Sequence, residues 1–144
     1  MPTDDLTALE SELRAAGLRV TAGRIGILRA LETHPHSDAE TLRLQLAGDL
    51  AGTSIQSVHN VLGDLADAGI IRRIEPAGSA ARYERRVDDN HHHIVCTGCG
   101  AIADVDCVVG HAPCLHPSDA AGFTVATAEV TFWGLCADCT AAAK

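Results

Sequence analysis

A chain of 144 residues, 47% of them hydrophobic but only four aromatic, is long enough for one compact domain or two small ones built on Leu, Ile, Val and Ala. No apolar run approaches the roughly 20 residues that span a bilayer and no charged-apolar-small signal opens the chain, so a soluble cytoplasmic protein is expected, with reduced cysteines and no membrane partner. The net charge of −8 argues against nonspecific nucleic-acid binding, yet residues 1–86 hold ten of the eleven Lys/Arg against twelve acids, and residues 87–144 one against seven, which confines any basic face to the first part.

In chain order, Thr3 is placed to cap a helix carrying Leu6, Leu9 and Leu13, with Gly17 to end it. Thr21 opens a second, with Ile25, Leu28 and Leu31 on one stripe, stopped before Pro35. Ser37-Asp38-Ala39-Glu40 reads as a capping box for a third helix ending near Gly48, and Thr53-Ser54-Ile55-Gln56 as another for a fourth. The fourth turns Val58, Val61, Leu62 and Leu65 inward and closes at Gly69. Two strand-like runs, Ile70 to Glu75 and Ala81 to Arg85, flank the turn Pro76-Ala77-Gly78-Ser79.

Four helices and a hairpin in this order fit a winged helix-turn-helix over residues 1–86, and equally a small helical domain with a structural hairpin. On the first reading Gln56, Ser57, His59, Asn60 and Asp64 lie off the inward stripe of the fourth helix, where several can meet base edges or phosphates. Arg82, Arg85 and Arg86 on the wing can reach phosphate, although each alone also fits a solvated surface charge.

Residues 87–144 form a small α/β unit, which makes the fold class α+β. Strands are expected at Ile94-Val95, Ala101 to Val105, Phe123 to Val125 and Val130 to Leu135, with one short helix between. Cys96-Thr97-Gly98-Cys99 and Cys136-Ala137-Asp138-Cys139 are two Cys-x-x-Cys pairs, each able to present two thiolates to one ion from a tight turn. Four thiolates suit a closed structural Zn(II) site; a thioredoxin-like redox pair or two disulfides are the competing readings. Gly98 and Gly100 suit the close turn of a zinc knuckle. A unit this small needs a staple, and association with a second copy would supply the remaining stability. Cys107 and Cys114 stand outside the paired geometry, as candidates for a thiol switch or as buried small apolar side chains.

In Asp88-Asp89-Asn90-His91-His92-His93, an extended backbone puts His91 and His93 on one face and His92 on the other. Alternate imidazoles joined by carboxylate suit Fe(II), Mn(II), Zn(II) or Ni(II), and a polar surface turn is the plainer reading. No nucleophile elbow or phosphate loop accompanies these residues, so an enzyme is not expected. A metal-buffering zinc protein without DNA binding remains an alternative.

The joint order of these features resembles the ferric uptake regulator family of metal-dependent repressors over nearly the whole chain. Thr21-Ala22-Gly23-Arg24 stands where the family starts a helix with Thr-Pro-Gln-Arg, and Ser54-x-x-Ser57-Val58-His59-x-x-Leu62 where its recognition helix lies. Ala68-Gly69-Ile70-Ile71, Arg82-Tyr83-Glu84, the histidine run and the paired cysteines follow in register. The resemblance is greatest to the actinobacterial FurA/CatR branch, through 78–84 and 102–107.

The resemblance implies a homodimeric repressor of double-stranded operator DNA, with structural zinc on Cys96, Cys99, Cys136 and Cys139. It also implies a regulatory Fe(II) or Mn(II) on His36, Glu84, His91, His93 and Asp104, with His34 the less fitting substitute for His36. Arg24, Ser54, Gln56, Ser57, His59, Asn60 and Arg82 become the DNA-binding candidates, and His59 replaces the tyrosine usual in the recognition helix. Asp104 matches the peroxide-sensing branch, in which iron-driven oxidation of a ligand histidine releases DNA; Glu84 departs from the Asp frequent in that branch, and plain iron-dependent repression is the alternative. Asn90 and Ala128 stand where a second regulatory site would have histidines, leaving His92 and His111 as remnants and no third metal expected.

Overall fold

The structure, a computed structural model, describes residues 2–87, 89, 91–107 and 113–143, the side chains of Pro2 and Thr3 apart. The chain divides into two compact units, Met1–Val87 and Asp88–Lys144. No described helix is long and apolar enough to cross a membrane.

The first unit runs α1 (Pro2–Ala15), α2 (Ala22–Thr33), β1 (Ser37–Asp38), α3 (Ala39–Leu46), α4 (Ile55–Asp67), β2 (Arg72–Ile74) and β3 (Arg82–Glu84). Its core is aliphatic: Leu9 and Leu13 of α1, Leu28 and Leu31 of α2, Leu42 and Leu46 of α3, and Val58, Leu62 and Leu65 of α4 are buried together with Tyr83. Val61 packs against this core while remaining partly exposed. Gly17 and Gly69 end their helices at φ 79° and 76°. In each case the next residue's N–H reaches back to the helix, Leu18 to Leu13 O at 2.9 Å and Ile70 to Leu65 O at 3.0 Å.

The helix starts differ from expectation in detail. Helix α1 begins at Pro2, so Thr3 lies inside it. Asp38, not Ser37, caps α3 through Thr41 N–H, while the Ser37 hydroxyl donates to His34 O at 2.7 Å. Ser54, not Thr53, caps α4 through Ser57 N–H, while the Thr53 hydroxyl donates to Leu50 O. Strand β1 has no counterpart in the sequence reading: two residues are too few to show a period. It completes a sheet of order β1-β3-β2, with Ser37 opposite Tyr83 and Arg72 opposite Glu84.

The second unit has β4 (His91–Cys96), β5 (Ile102–Asp106), β6 (Thr131–Gly134) and α5 (Ala137–Ala142). The sheet order is β5-β4-β6, antiparallel to β5 and parallel to β6. The expected strand at Phe123 to Val125 is irregular chain, since its β-forming residues have no ladder to join. Among the described residues no helix lies between the strands; a short one follows the last strand and carries Cys139.

Candidate metal centres and nucleic-acid face

The Cys-x-x-Cys pairs come together at one end of the second sheet. Cys96 closes β4, Cys99 ends the turn beyond it, and Cys136 and Cys139 belong to the start of α5. One sulfur from each lies within 4.8 Å of the other three. The Cys99 and Cys136 sulfurs are 3.8 Å apart, the spacing of about 3.8 Å that bonds of about 2.3 Å give around a tetrahedral ion. Backbone N–H groups of Gly98, Cys136 and Cys99 point at the Cys96 sulfur from 3.3 to 3.4 Å. These donors, that of Cys136 first, pull its thiol down to about 6. The neighbouring sulfurs, Cys136 first, push the Cys139 thiol up to about 12. A cation that replaces the shared protons resolves this crowding, so the four residues fit a structural zinc ion. A Cβ on Gly98 would stand 3.0 Å from the Cys139 sulfur, so the turn needs glycine for close approach.

In the first unit His36 precedes β1 and Glu84 ends β3, and the pairing of Ser37 with Tyr83 brings them side by side. His36 Nε2 lies 3.1 Å from Glu84 Oε2, both residues being buried. The His36 N–H donates to Tyr83 O at 2.9 Å, and its φ of 66° is left-handed. Arg72 stands 4.0 Å from the other Glu84 oxygen. His34 is exposed and meets Thr33 Oγ1 instead.

In the second unit His91 and His93 share one face of β4, their rings 4.8 Å apart. Asp104, opposite His93 in the ladder, places Oδ1 3.4 Å from His93 Nε2 and 3.6 Å from His91 Nε2. Each unit therefore holds an imidazole–carboxylate group of the kind that binds borderline divalent ions. Asp89, missed in the sequence reading, bonds the far nitrogen of His91 and so fixes the tautomer that leaves Nε2 facing Asp104. An acid two residues before a candidate ligand was the available signal.

On the other face of β4, His92 Nε2 lies 3.1 Å from the Cys114 sulfur. Burial, then Cys107 beside it, raises the Cys114 thiol above its ordinary value. Asn90 and His111 lie outside the described residues, and Ala128 sits in irregular chain.

The candidate DNA contacts of α4 are exposed at Gln56, Ser57, His59 and Asn60. Gln56 and Asn60 are joined at 3.0 Å, and the Ser54 hydroxyl is occupied as the N-cap. Arg24 donates to Arg19 O at 2.7 Å and to Asp64 at 3.0 Å, so it fastens α2 to α4. Arg82 reaches Ser79 Oγ and His36 O. Arg85 is held by Glu12 and Glu32 of α1 and α2, with Ile70 O as a further acceptor. Arg86 follows β3 and is partly buried.

Residues 15–132 match the model of the ferric uptake regulator family. The chain is 56% identical over 128 residues to the transcriptional regulator FurA of Mycobacterium tuberculosis, spanning 89% of this chain and 87% of that protein. It is 35% identical over 95 residues to the peroxide-responsive repressor PerR of Staphylococcus aureus, spanning 65% and 64%. Among solved structures, the Vibrio cholerae ferric uptake regulator shares the fold with a TM-score of 0.66 at 25% identity, over 88% of this chain and 98% of that one.

Proposed function

Since this chain belongs to the ferric uptake regulator family, whose members are transcriptional regulators and not enzymes, we propose that it is a metal-dependent repressor that senses hydrogen peroxide through Fe(II). The regulatory ion would be held by His36 and Glu84 from the first unit and by His91, His93 and Asp104 from the second, with zinc on Cys96, Cys99, Cys136 and Cys139. The observation that carries this reading is that each unit already holds an imidazole beside a carboxylate, 3.1 Å apart for His36 and Glu84 and 3.4 Å for His93 and Asp104. Such a division lets one ion tie two units together, so that its binding energy becomes DNA affinity.

Fe(II) held by these residues would supply the electron that cleaves a peroxide O–O bond beside a ligand imidazole. The chain's part is to hold His36 and His91 where they are the oxidation targets, and to lose grip on the ion once either ring is oxidised. The relationship to the PerR repressor supports peroxide as the signal, as does Asp104 where many iron sensors have Glu. Glu84 supports the second reading, an iron-responsive repressor without peroxide sensing. DNA binding is assigned to α4, through Gln56, Ser57, His59 and Asn60, and to Arg82 on the wing, with Ser54 capping the start of α4 and Arg24 fastening α2 to it through Asp64. The operator-bound form is a homodimer. Cys107 and Cys114 are not needed for this cycle.

Fluorescence anisotropy of the DNA upstream of the protein's own gene tests the reading. Zinc-loaded protein should bind tightly with Mn(II) and with anaerobic Fe(II), and peroxide should release only the Fe(II) form. Retention of the Fe(II) form under peroxide would make this a plain metal sensor, and absence of metal-dependent binding would overturn repression at this DNA. Asp104→Glu should blunt the peroxide response while leaving Mn(II)-dependent binding intact; unchanged peroxide sensitivity would remove Asp104 as the basis for choosing peroxide over iron.

A further inference from the structure

The ladder of β4 and β5 offers a second set of ligands on the face away from His91, His93 and Asp104. His92 pairs with Val105, so the two side chains lie on the same side of the sheet. Cys107, two residues beyond Val105, continues on that side. Cys114 is on this side too, its sulfur 3.1 Å from His92 Nε2. One ligand atom each from His92, Cys107 and Cys114 lies within 4.8 Å of the other two. We propose that these three residues form a separate metal site for a thiophilic d10 cation, Cu(I) or Zn(II).

The donor set decides the class of ion. Two sulfurs and one imidazole favour soft or borderline cations and disfavour the Mg(II), Ca(II) and Mn(II) that carboxylate oxygens attract. His92 is buried, Cys107 and Cys114 are partly buried, and Leu115, Val130 and Phe132 line the same cavity, so an ion held there is screened from water and its charge is met by the two sulfurs as thiolates. Bonds of about 2.0 Å to nitrogen and about 2.3 Å to sulfur put those atoms about 3.5 Å apart around a tetrahedral centre. Uptake therefore opens the His92–Cys114 pair by a few tenths of an ångström. The Val130 N–H, 3.4 Å from His92 Nδ1, opposes the tautomer in which Nε2 is the ligand, but a contact that long is weak.

The site does not depend on the regulatory reading. It would place ions of different softness on opposite faces of the same two strands, imidazole with carboxylate on one side and imidazole with thiolate on the other.

The test uses full-length protein prepared without oxygen, with zinc retained on the four paired cysteines and with Glu84→Gln and His93→Ala removing one regulatory ligand from each unit. One arm titrates Cu(I) against bicinchoninate, and the other Zn(II) against a chromophoric zinc chelator. One equivalent beyond the retained zinc is expected in one arm, which also identifies the ion. Cys107→Ser, Cys114→Ser and His92→Asn should each weaken that uptake by about tenfold or more, with the retained zinc unchanged. No extra equivalent in either arm, or an equivalent indifferent to all three substitutions, overturns the site. Loss of uptake only in variants that also lose the retained zinc overturns it too, because it marks unfolding instead of ligand removal.

Discussion

At φ 66° the main chain of His36 occupies a region that costs most side chains about 1–2 kcal/mol and that Asn tolerates better. The imidazole and the backbone can therefore be separated experimentally. His36→Ala and His36→Asn should both abolish metal-dependent DNA binding, and both lose the ring's bond to Glu84, but in metal-free urea melts His36→Ala should fall about 1 kcal/mol further than His36→Asn. Equal destabilisation would remove backbone strain as the cause. Asp38 shows a second residue-scale effect. Thr41, through its side chain and then its N–H, holds the Asp38 carboxyl below the ordinary carboxylate value. A lowered value in the folded state means that the cap's contribution is complete above the unfolded-state value, near pH 4, and is lost as pH falls through the folded one. Asp38→Ala should cost about 1 kcal/mol at pH 7. Asp38→Asn should keep most of the cap, and the urea midpoint of this variant should fall less than that of the native chain between pH 5 and pH 3.

Among the elements, those whose ends are written locally were legible in the sequence. Gly17 and Gly69 stop α1 and α4 because the left-handed backbone they adopt suits glycine, and Thr21 caps α2 as its position implies. The strand alternation of His91, His92 and His93 was equally readable, since a pleat leaves no other arrangement once the segment is extended. What long-range pairing decides was not legible. Strand β1 exists because β3 lies beside it, Phe123 to Val125 stays irregular for want of a partner, and Cys114 meets His92 from 22 residues away in sequence. The choice of Ser54 over Thr53 as cap turned on which residue the preceding loop delivers. The cysteine cluster links β4 to α5, and its removal should be felt by both. Stripping zinc with a strong chelator, or Cys136→Ser, should erase hydrogen-exchange protection in β4, β6 and α5 while that of α2 and α4 persists. Gly98→Ala should show the same weakness in milder form, with zinc lost at lower chelator concentration, because the added methyl meets the Cys139 sulfur.

Across the whole molecule the two units are unequal. The first has a continuous aliphatic core, whereas the second buries only Val95 and Cys96 among its described hydrophobic residues and leaves Phe123 77%, Leu115 60% and Trp133 48% exposed. So little burial cannot hold a unit of this size alone. Zinc and a second copy of the chain are the supports that the homodimer reading supplies, and Phe132→Asp with Trp133→Glu should shift the protein to monomer in sedimentation velocity; an unchanged dimer would place the interface elsewhere. One further consequence lies in β3, where three residues carry both Arg82, whose guanidinium holds the His36 carbonyl, and Glu84, whose carboxylate holds the His36 ring. If phosphate engages the first while an ion engages the second, the two ligands are traded through one short strand, and each must tighten the other by the same factor. Molecules sitting on an operator then hold their regulatory ion more tightly than free ones, so an occupied promoter reopens only at an ion concentration below the one that empties the unbound protein.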